Sequence, residues 1–351
     1  MRLVCATVAI VCASVWTLAA QDAPRPIGVH TLGPQVGEPV PDFRLEDSAG
    51  RTWTLESIMG PEGALIVFSR SADWCPYCKT QMIEMQGRLA DLKKQGLGLA
   101  AITYDSPAIL ADFARRQNIS FPLLSDPGSA TIKRYGLLNT TVDPASSNFG
   151  IPFPGTFLVD RKGIVTARFF EEAYQERTTV SNILLQLGSE PGGTTSAARI
   201  ETNHLVATAY ASDPVVAPGT VFSLVVDVEP KPRMHLYAPG AQSYRVIDLQ
   251  LAPNPLLVAR PMRYPDSEIY FFEPLNEHVP VFQKPFRLAL DVAIDSSREA
   301  REALATLKTL TIDGTLNYQA CDDAVCFLPT SVPVSFTVQV RPLDTQRVSP
   351  R

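Results

Sequence analysis

The hydrophobic and polar positions of this chain change rhythm about halfway along it. Ala64-Leu65-Ile66-Val67-Phe68 is a short unbroken apolar run of the buried-strand kind. From Pro76 onward Met82, Met85, Leu89 and Leu92 recur at helical spacing, and Lys93-Lys94-Gln95-Gly96 supplies a basic last turn and a stop. Residues 97–104 predict a second buried strand, and Ser106-Pro107 opens a helix reaching about Gln117. Residues 121–125 predict a short strand, and Asp126-Pro127-Gly128-Ser129 opens another helix. A hairpin is expected from 156–160 and 164–170 around Arg161-Lys162-Gly163, then a last helix over about 174–187. Helices interleaved with buried strands imply a layered α/β sheet.

After Gly188-Ser189-Glu190-Pro191-Gly192-Gly193-Thr194-Thr195-Ser196, a flexible linker by composition, the period becomes two. Phe222, Leu224, Val226 and Val228 alternate with Ser223, Val225 and Asp227. Leu288, Leu290, Val292 and Ile294 repeat the pattern, as do Leu310, Ile312, Leu316 and Tyr318, and then Val332, Val334, Phe336, Val338 and Val340. Only residues 296–307 read as helical there. Short half-buried strands with Pro and Gly turns predict an all-β sandwich.

A chain of 351 residues exceeds one hydrophobic core, which agrees with two domains. The net charge of −5, with no basic run, gives no support to nucleic-acid or anionic-membrane binding. The cysteines change the picture more. Two of the six, Cys5 and Cys12, fall in an N-terminal segment with one Arg and an apolar stretch over residues 3–18. Thr17-Leu18-Ala19-Ala20-Gln21 offers small residues for cleavage after Ala19 or close by, so residues 1–20 read as a secretory signal peptide; an uncleaved membrane anchor is the alternative. Neither early cysteine has a lipobox before it. The remaining cysteines form two close pairs, Cys75/Cys78 and Cys321/Cys326, as expected of an exported protein in an oxidising compartment.

The densest chemistry is Trp74-Cys75-Pro76-Tyr77-Cys78, where an apolar strand gives way to an amphipathic helix. Pro76 suits the first helical position, which puts Cys75 at the helix N-terminus. There, unpaired N–H groups and the positive dipole end favour a thiolate and lower the thiol's pKa. Two intervening residues place Cys78 within sulfur–sulfur reach of Cys75. A dithiol that opens and closes follows, against a structural disulfide or half a zinc site. Zinc needs further ligands, and His30, His204, His235 and His278 form no spaced pair with the motif. Asp73 reads as a solvated loop residue.

With strand, motif and helix in that order, residues 34–187 resemble a thioredoxin-fold protein. Val36-Gly37-Glu38-Pro39-Val40-Pro41-Asp42-Phe43 and Thr156-Phe157-Leu158-Val159-Asp160 resemble the AhpC/TSA and TlpA-type redoxin branch. The resemblance implies a cis-proline facing the dithiol, at Pro154. It implies an exposed Cys75 that attacks, a less accessible Cys78 that resolves, and Trp74, Tyr77 and Pro154 framing the substrate-docking surface. Peroxiredoxins carry Thr or Ser three residues before the attacking cysteine and an Arg where Pro154 stands; here the first position is Ala72. Those donors would orient a peroxide. The buried Asp of thioredoxin, six residues before the first cysteine, is replaced by Ser69.

Cys321-Asp322-Asp323-Ala324-Val325-Cys326 by spacing alone reads as a structural disulfide pinning a hairpin. Yet Tyr318-Gln319-Ala320-Cys321, Cys326-Phe327-Leu328-Pro329 and His235-Leu236-Tyr237-Ala238-Pro239-Gly240 resemble the periplasmic N-terminal domain of DsbD-type transmembrane disulfide reductases, over residues 200–342. That resemblance implies an immunoglobulin-like sandwich whose cysteine pair passes electrons to thiol proteins, with Cys326 attacking and Cys321 its partner. It also implies an aromatic shield, for which Phe271 or Phe272 stands in the right region, and a membrane electron donor of the DsbD kind. Four residues separate the cysteines here, where that family usually has five. His235 and Tyr237 read as ordinary strand residues.

The expectation is an exported thiol–disulfide oxidoreductase: a thioredoxin-like domain (34–187), a linker (188–199) and a DsbD-like sandwich (200–342). It acts on protein thiols and disulfides and needs no cofactor or metal. Two alternatives stand beside it: a thiol peroxidase of the AhpC/TSA kind, and a binding protein whose disulfides are merely structural.

Overall fold

The computed structural model describes residues 28–189, 197–273 and 276–348. The expected signal peptide and the centre of the expected linker, 190–196, lie outside the described residues.

The first half is built on one sheet of seven strands: β1 (Arg44–Asp47), β2 (Thr52–Thr54), β3 (Gly63–Phe68), β4 (Leu97–Thr103), β5 (Leu123–Ser125), β6 (Gly155–Val159) and β7 (Val165–Phe169). Their order is β2-β1-β5-β4-β3-β6-β7; β3 runs parallel to β4, β4 parallel to β5, and β6 antiparallel to β3. Every residue of β3 is buried because both faces of the sheet are covered. Among the described residues the α-helices of this half are α1 (Leu55–Ile58), α2 (Pro76–Gly87), α3 (Leu89–Lys94), α4 (Pro107–Gln117), α5 (Ala130–Arg134) and α6 (Val180–Gln186). Leu65 and Val67 face α2, α4 and α6, against Met82, Met85, Phe113 and Ile183. Ala64, Ile66 and Phe68 face the opposite core of Phe43, Ile132, Tyr135 and Phe157. This is a thioredoxin-like α/β fold.

Three sequence expectations are corrected here. The helix from Pro76 breaks at Arg88, where φ −108° and ψ 7° leave the helical region, and a separate α3 (Leu89–Lys94) follows. The helix expected from residue 174 begins only at Val180. Before it, Arg177–Thr178 form a two-residue strand, β8, drawn out by pairing with the second half. Among the described residues no peptide bond is cis, so Pro154 is trans. Trans is the lower-energy isomer of an X-Pro bond, and the chain here is set by the Leu138–Pro152 bridge and the Phe153 N–H on Leu137 O (2.7 Å).

The second half is β-rich, with sheets consistent with a β-sandwich. One sheet runs Leu257–Arg263, Phe286–Ile294, Thr220–Pro230, Leu205–Ala211, Ala198–Glu201; a second runs Val215–Val216, Thr330–Val340, Thr309–Tyr318, Asp248–Leu251. Phe222, Leu224 and Val226 of the first share one core with Leu310, Ile312 and Phe336 of the second. A smaller sheet, Glu268–Phe272, Glu277–Phe282, His235–Tyr237 and Ala320–Cys321, carries the second cysteine pair.

The halves are packed together. β8 pairs in parallel with Thr220–Val221. Residues 220–226 of the strand Thr220–Pro230 are buried on both faces: Val225, on the side expected to be open, packs on Leu185 of α6 and on Tyr210. Beneath it, Asn182 Nδ2 donates to Ser223 Oγ (3.0 Å) and Asp291 Oδ1 (2.8 Å), and Arg263 donates to the same carboxylate (2.8 Å). Gly219, at φ +81°, lets the chains meet: a Cβ there would lie 2.4 Å from Gln175 O and 3.0 Å from Tyr77.

Candidate active site

Cys75 is the N-cap of α2 and Pro76 its first residue. The Cys75 sulfur accepts the backbone N–H of Cys78 at 3.3 Å, as an N-cap side chain does. The two cysteines are joined as a disulfide, with Cα atoms 5.3 Å apart. Sequence and structure agree on this placement, but not on access. Cys75 is 1% exposed and Cys78 fully buried, against the expectation of an open attacking sulfur. Trp74, Tyr77 and Leu343 pack around them.

The loop leading into the motif hangs on a carboxylate that sequence reasoning missed. Asp105, buried at the end of β4, accepts the Ala72 N–H (2.6 Å), the Ser71 hydroxyl (2.9 Å) and the Thr103 hydroxyl (3.1 Å). Burial pushes its pKa up and these donors pull it down. The backbone N–H three residues before Cys75 is thus already engaged. Ser69, where thioredoxin has its acid, is buried. Asp73 is not a solvated loop residue: it is buried and receives Arg347 and the Val348 N–H.

Basic and aromatic groups complete the site. Arg177 of β8 places Nη2 3.3 Å from the Cys78 sulfur and gives Nη1 to the carbonyls of Tyr174 and Glu176. Burial, reinforced by repulsion from Arg70, lowers its pKa to about 9, so it remains a cation at neutral pH. Arg70 lies between the rings of Trp74 (4.9 Å) and Tyr174 (4.5 Å), and Trp74 Nε1 donates to Tyr104 Oη (2.9 Å). Tyr77 lines a narrow cleft with Gln175, Arg177 and Gly219. Pro154 precedes β6, whose first residue Gly155 pairs with Phe68 at the end of β3, so it sits at the strand end from which the loop departs. No sequence signal marked Arg177, because its segment reads as helix.

The second pair, Cys321 and Cys326, is also a disulfide, with Cα atoms 4.1 Å apart. Cys321 is fully buried, whereas Cys326 is half-buried in the turn where Asp322 accepts the Ala324 and Val325 N–H groups. Tyr237 Oη lies 2.9 Å from the Cys321 sulfur and 3.4 Å from that of Cys326. Burial raises the Tyr237 pKa, which keeps the hydroxyl protonated. His235 is the strand partner of Cys321, fully buried against Tyr237 and Tyr270, with neither ring nitrogen hydrogen-bonded. His235 and Tyr237 therefore adjoin the sulfurs. Of the two phenylalanines expected as cover, Phe272 is buried on the same strand face as Tyr270, and Phe271 is turned away. Tyr270 and Tyr244 pack on the pair, while Phe271 turns to His278, because alternate residues of that strand face opposite ways. Among the described residues no group of three or more His, Cys, Asp or Glu is placed to hold a metal ion.

A cysteine pair at a helix N-terminus on this sheet defines a thioredoxin-fold redox protein. Residues 36–168 match the model of the AhpC/TSA family. Alkyl hydroperoxide reductase E of Mycobacterium tuberculosis is 32% identical over 138 residues, which are 39% of this chain and 84% of that protein. Peroxiredoxin Q, chloroplastic, of Populus jackii is 30% identical over 129 residues, 37% of this chain, and the match spans 57% of that protein's length. The crystal structure of Peroxidoxin BcpB from Mycobacterium tuberculosis overlaps 40% of this chain and 89% of that chain, at 20% identity and a TM-score of 0.36. The chain belongs to the AhpC/TSA family, a family of redox enzymes.

Proposed function

We propose that this protein is an exported thiol–disulfide oxidoreductase in which residues 34–187 carry the working Cys75–Cys78 dithiol and residues 200–342 form a DsbD-like, immunoglobulin-like sandwich. The observation that carries the reading is the pairing of the two sulfurs across the first turn of α2, with Arg177 against the second. The reduced Cys75 thiolate attacks a protein disulfide, forming a mixed disulfide and releasing one substrate thiolate. The Cys78 thiolate then attacks the Cys75 sulfur, releasing the second substrate thiolate and closing Cys75–Cys78. The chain's dithiol is oxidised by two electrons and the substrate disulfide reduced. Trp74, Tyr77 and Pro154 border the docking surface. Cys326, more accessible than Cys321, is the attacking sulfur of the second pair, which accepts electrons from a membrane donor of the DsbD kind.

A second reading, thiol peroxidase, is favoured by the relatives named alkyl hydroperoxide reductase and peroxiredoxin. Against it, Ala72 has no hydroxyl and its N–H serves Asp105. Stopped-flow oxidation of the reduced chain by hydrogen peroxide and by a protein disulfide, at matched concentration, separates the two. Exchange predicts faster consumption by the disulfide; a faster reaction with peroxide overturns it.

A further inference from the structure

Beyond the strand Thr330–Val340, the chain returns to the first half and crosses the start of α2. Arg341 N–H still bonds to Val216 O (2.8 Å), and past it the described residues make no backbone-to-backbone hydrogen bond. Side chains hold this segment instead. Leu343 joins Trp74, Cys75, Tyr77 and Cys78 in one apolar cluster. Asp344 receives Gln117 Nε2 (3.1 Å) and lies 3.4 Å from Lys79 Nζ and 3.6 Å from Arg116 Nη1. Lys79 Nζ also donates to Gln346 O (2.7 Å). Arg347 clasps Asp73 Oδ2 (2.9 and 3.1 Å), and Val348 N–H donates to Asp73 Oδ1 (2.6 Å). Asp73 precedes the dithiol and Lys79 follows it, so the anchors bracket the motif on both sides.

We propose that residues 343–348 are a displaceable strap that occupies, in cis, the docking groove of the Cys75–Cys78 dithiol. The groove takes an extended segment of a partner protein with an apolar side chain followed directly by a carboxylate. This rests on the reading of Cys75–Cys78 as an exchanging dithiol. Three features support it. A dithiol whose sulfurs are both buried meets no substrate until something moves, and the strap is the cover least tied to the fold. Its contacts are the kind a peptide in trans reproduces: one apolar anchor, one carboxylate on cations, and backbone groups on Lys79 and Asp73. Lys79, buried with its ammonium on the strap, needs an acceptor in the groove whichever chain supplies it. The outer clasp is weak, since Arg347 is 65% exposed and its ion pair is screened by salt.

The test compares three reduced proteins: the full chain, a chain ending at Pro342, and the full-length variant Leu343→Ala/Asp344→Ala/Arg347→Ala. Iodoacetamide alkylation of Cys75, followed by peptide mapping, is expected to be about tenfold faster in both altered forms, since each removes the closed population. A synthetic peptide of residues 341–351 added to the truncated chain should restore the slow rate, and the same peptide with Asp344→Ala should not. Alkylation as slow in both altered forms as in the full chain overturns the strap; the substituted full-length form keeps the question answerable if truncation unfolds the protein. Alkylation does not depend on exchange chemistry. Faster alkylation without turnover of a protein disulfide would sustain the strap and sink the exchange reading. Equal alkylation in all three, with turnover of a protein disulfide, would do the reverse.

Discussion

The guanidinium of Arg177 approaches the sulfur of Cys78 to 3.3 Å, across 99 residues of sequence. The backbone of Arg177 is held in turn by the second half of the chain, through its N–H on Gly219 O (2.8 Å). The second half thereby sets the position of a cation beside Cys78, the cysteine proposed to resolve the mixed disulfide. A cation at that distance favours the thiolate over the thiol when the dithiol is reduced.

Arg177→Met should therefore lower the thiolate fraction of Cys78 at neutral pH and slow resolution of the mixed disulfide. A hydrogen bond to a charged group contributes about 2 kcal/mol, so the slowing should be roughly tenfold or more. Arg177→Lys should recover part of it. Single-turnover release of the second substrate thiol measures the effect; an unchanged resolution rate in Arg177→Met would remove Arg177 from the chemistry.

Tyr237→Phe probes the second pair. The Tyr237 hydroxyl lies 2.9 Å from the Cys321 sulfur, so on reduction it is placed to donate to a thiolate there and would stabilise the reduced form. Its loss should make the potential of Cys321–Cys326 more negative by about 30 mV, equivalent to about 1.4 kcal/mol for a two-electron couple. Titration against dithiothreitol reads the shift, and a potential that moves to less negative values would contradict the assigned donor.

Stability should fall as pH rises through one carboxyl at the junction. Burial, with Asp213 nearby, raises Glu84 well above its ordinary pKa, so the folded chain binds its proton more tightly than the unfolded chain. Stability from this group is complete below the unfolded value and is lost as pH climbs through the folded one. Glu84→Gln should match the parent in acid and have the higher melting temperature at neutral pH and above. The carboxamide oxygen can still accept the Val180 N–H that Glu84 holds. Parallel melting curves at every pH would show that Glu84 is not the group responsible.

Asp291→Ala should weaken the junction itself. The Asp291 carboxylate gathers Asn182, Ser223 and Arg263; its removal strands the Ser223 hydroxyl and leaves Asn182 and Arg263 with Ser223 Oγ as their remaining shared acceptor. A loss of about 2 kcal/mol is expected, discounted because the side chain is not fully enclosed. Urea unfolding, followed by proteolysis between the halves, should show earlier separation; an unchanged midpoint would mean the network contributes nothing net.

Much of the site was legible in the sequence because its signals are local. The apolar run of β3, Pro76 at the first helical position and Cys75 as its cap concern neighbours within one turn. The period-two runs likewise announced Thr220–Pro230 and Phe286–Ile294. Periodicity cannot say what lies on the far face of a strand. Val225 read as half-open and is buried because α6 covers it. Residues 174–187 read as one helix because helix spacing is local, whereas Arg177–Thr178 are drawn into a strand by Thr220–Val221.

Chain order and local chemistry thus determined where the cysteine pairs stand and which elements present them. Only the tertiary structure decided what surrounds the sulfurs. Tyr270 covers the second pair in place of Phe271, since strand alternation and sheet pairing together choose the inward face. Asp73 is buried rather than solvated, because Arg347 reaches it from 274 positions away. A charged side chain carries no mark in sequence of the distant partner that will take it out of water. The desolvation cost of such a group is met by whichever donors the folded chain brings within about 3 Å, and that is a property of the packing of both halves.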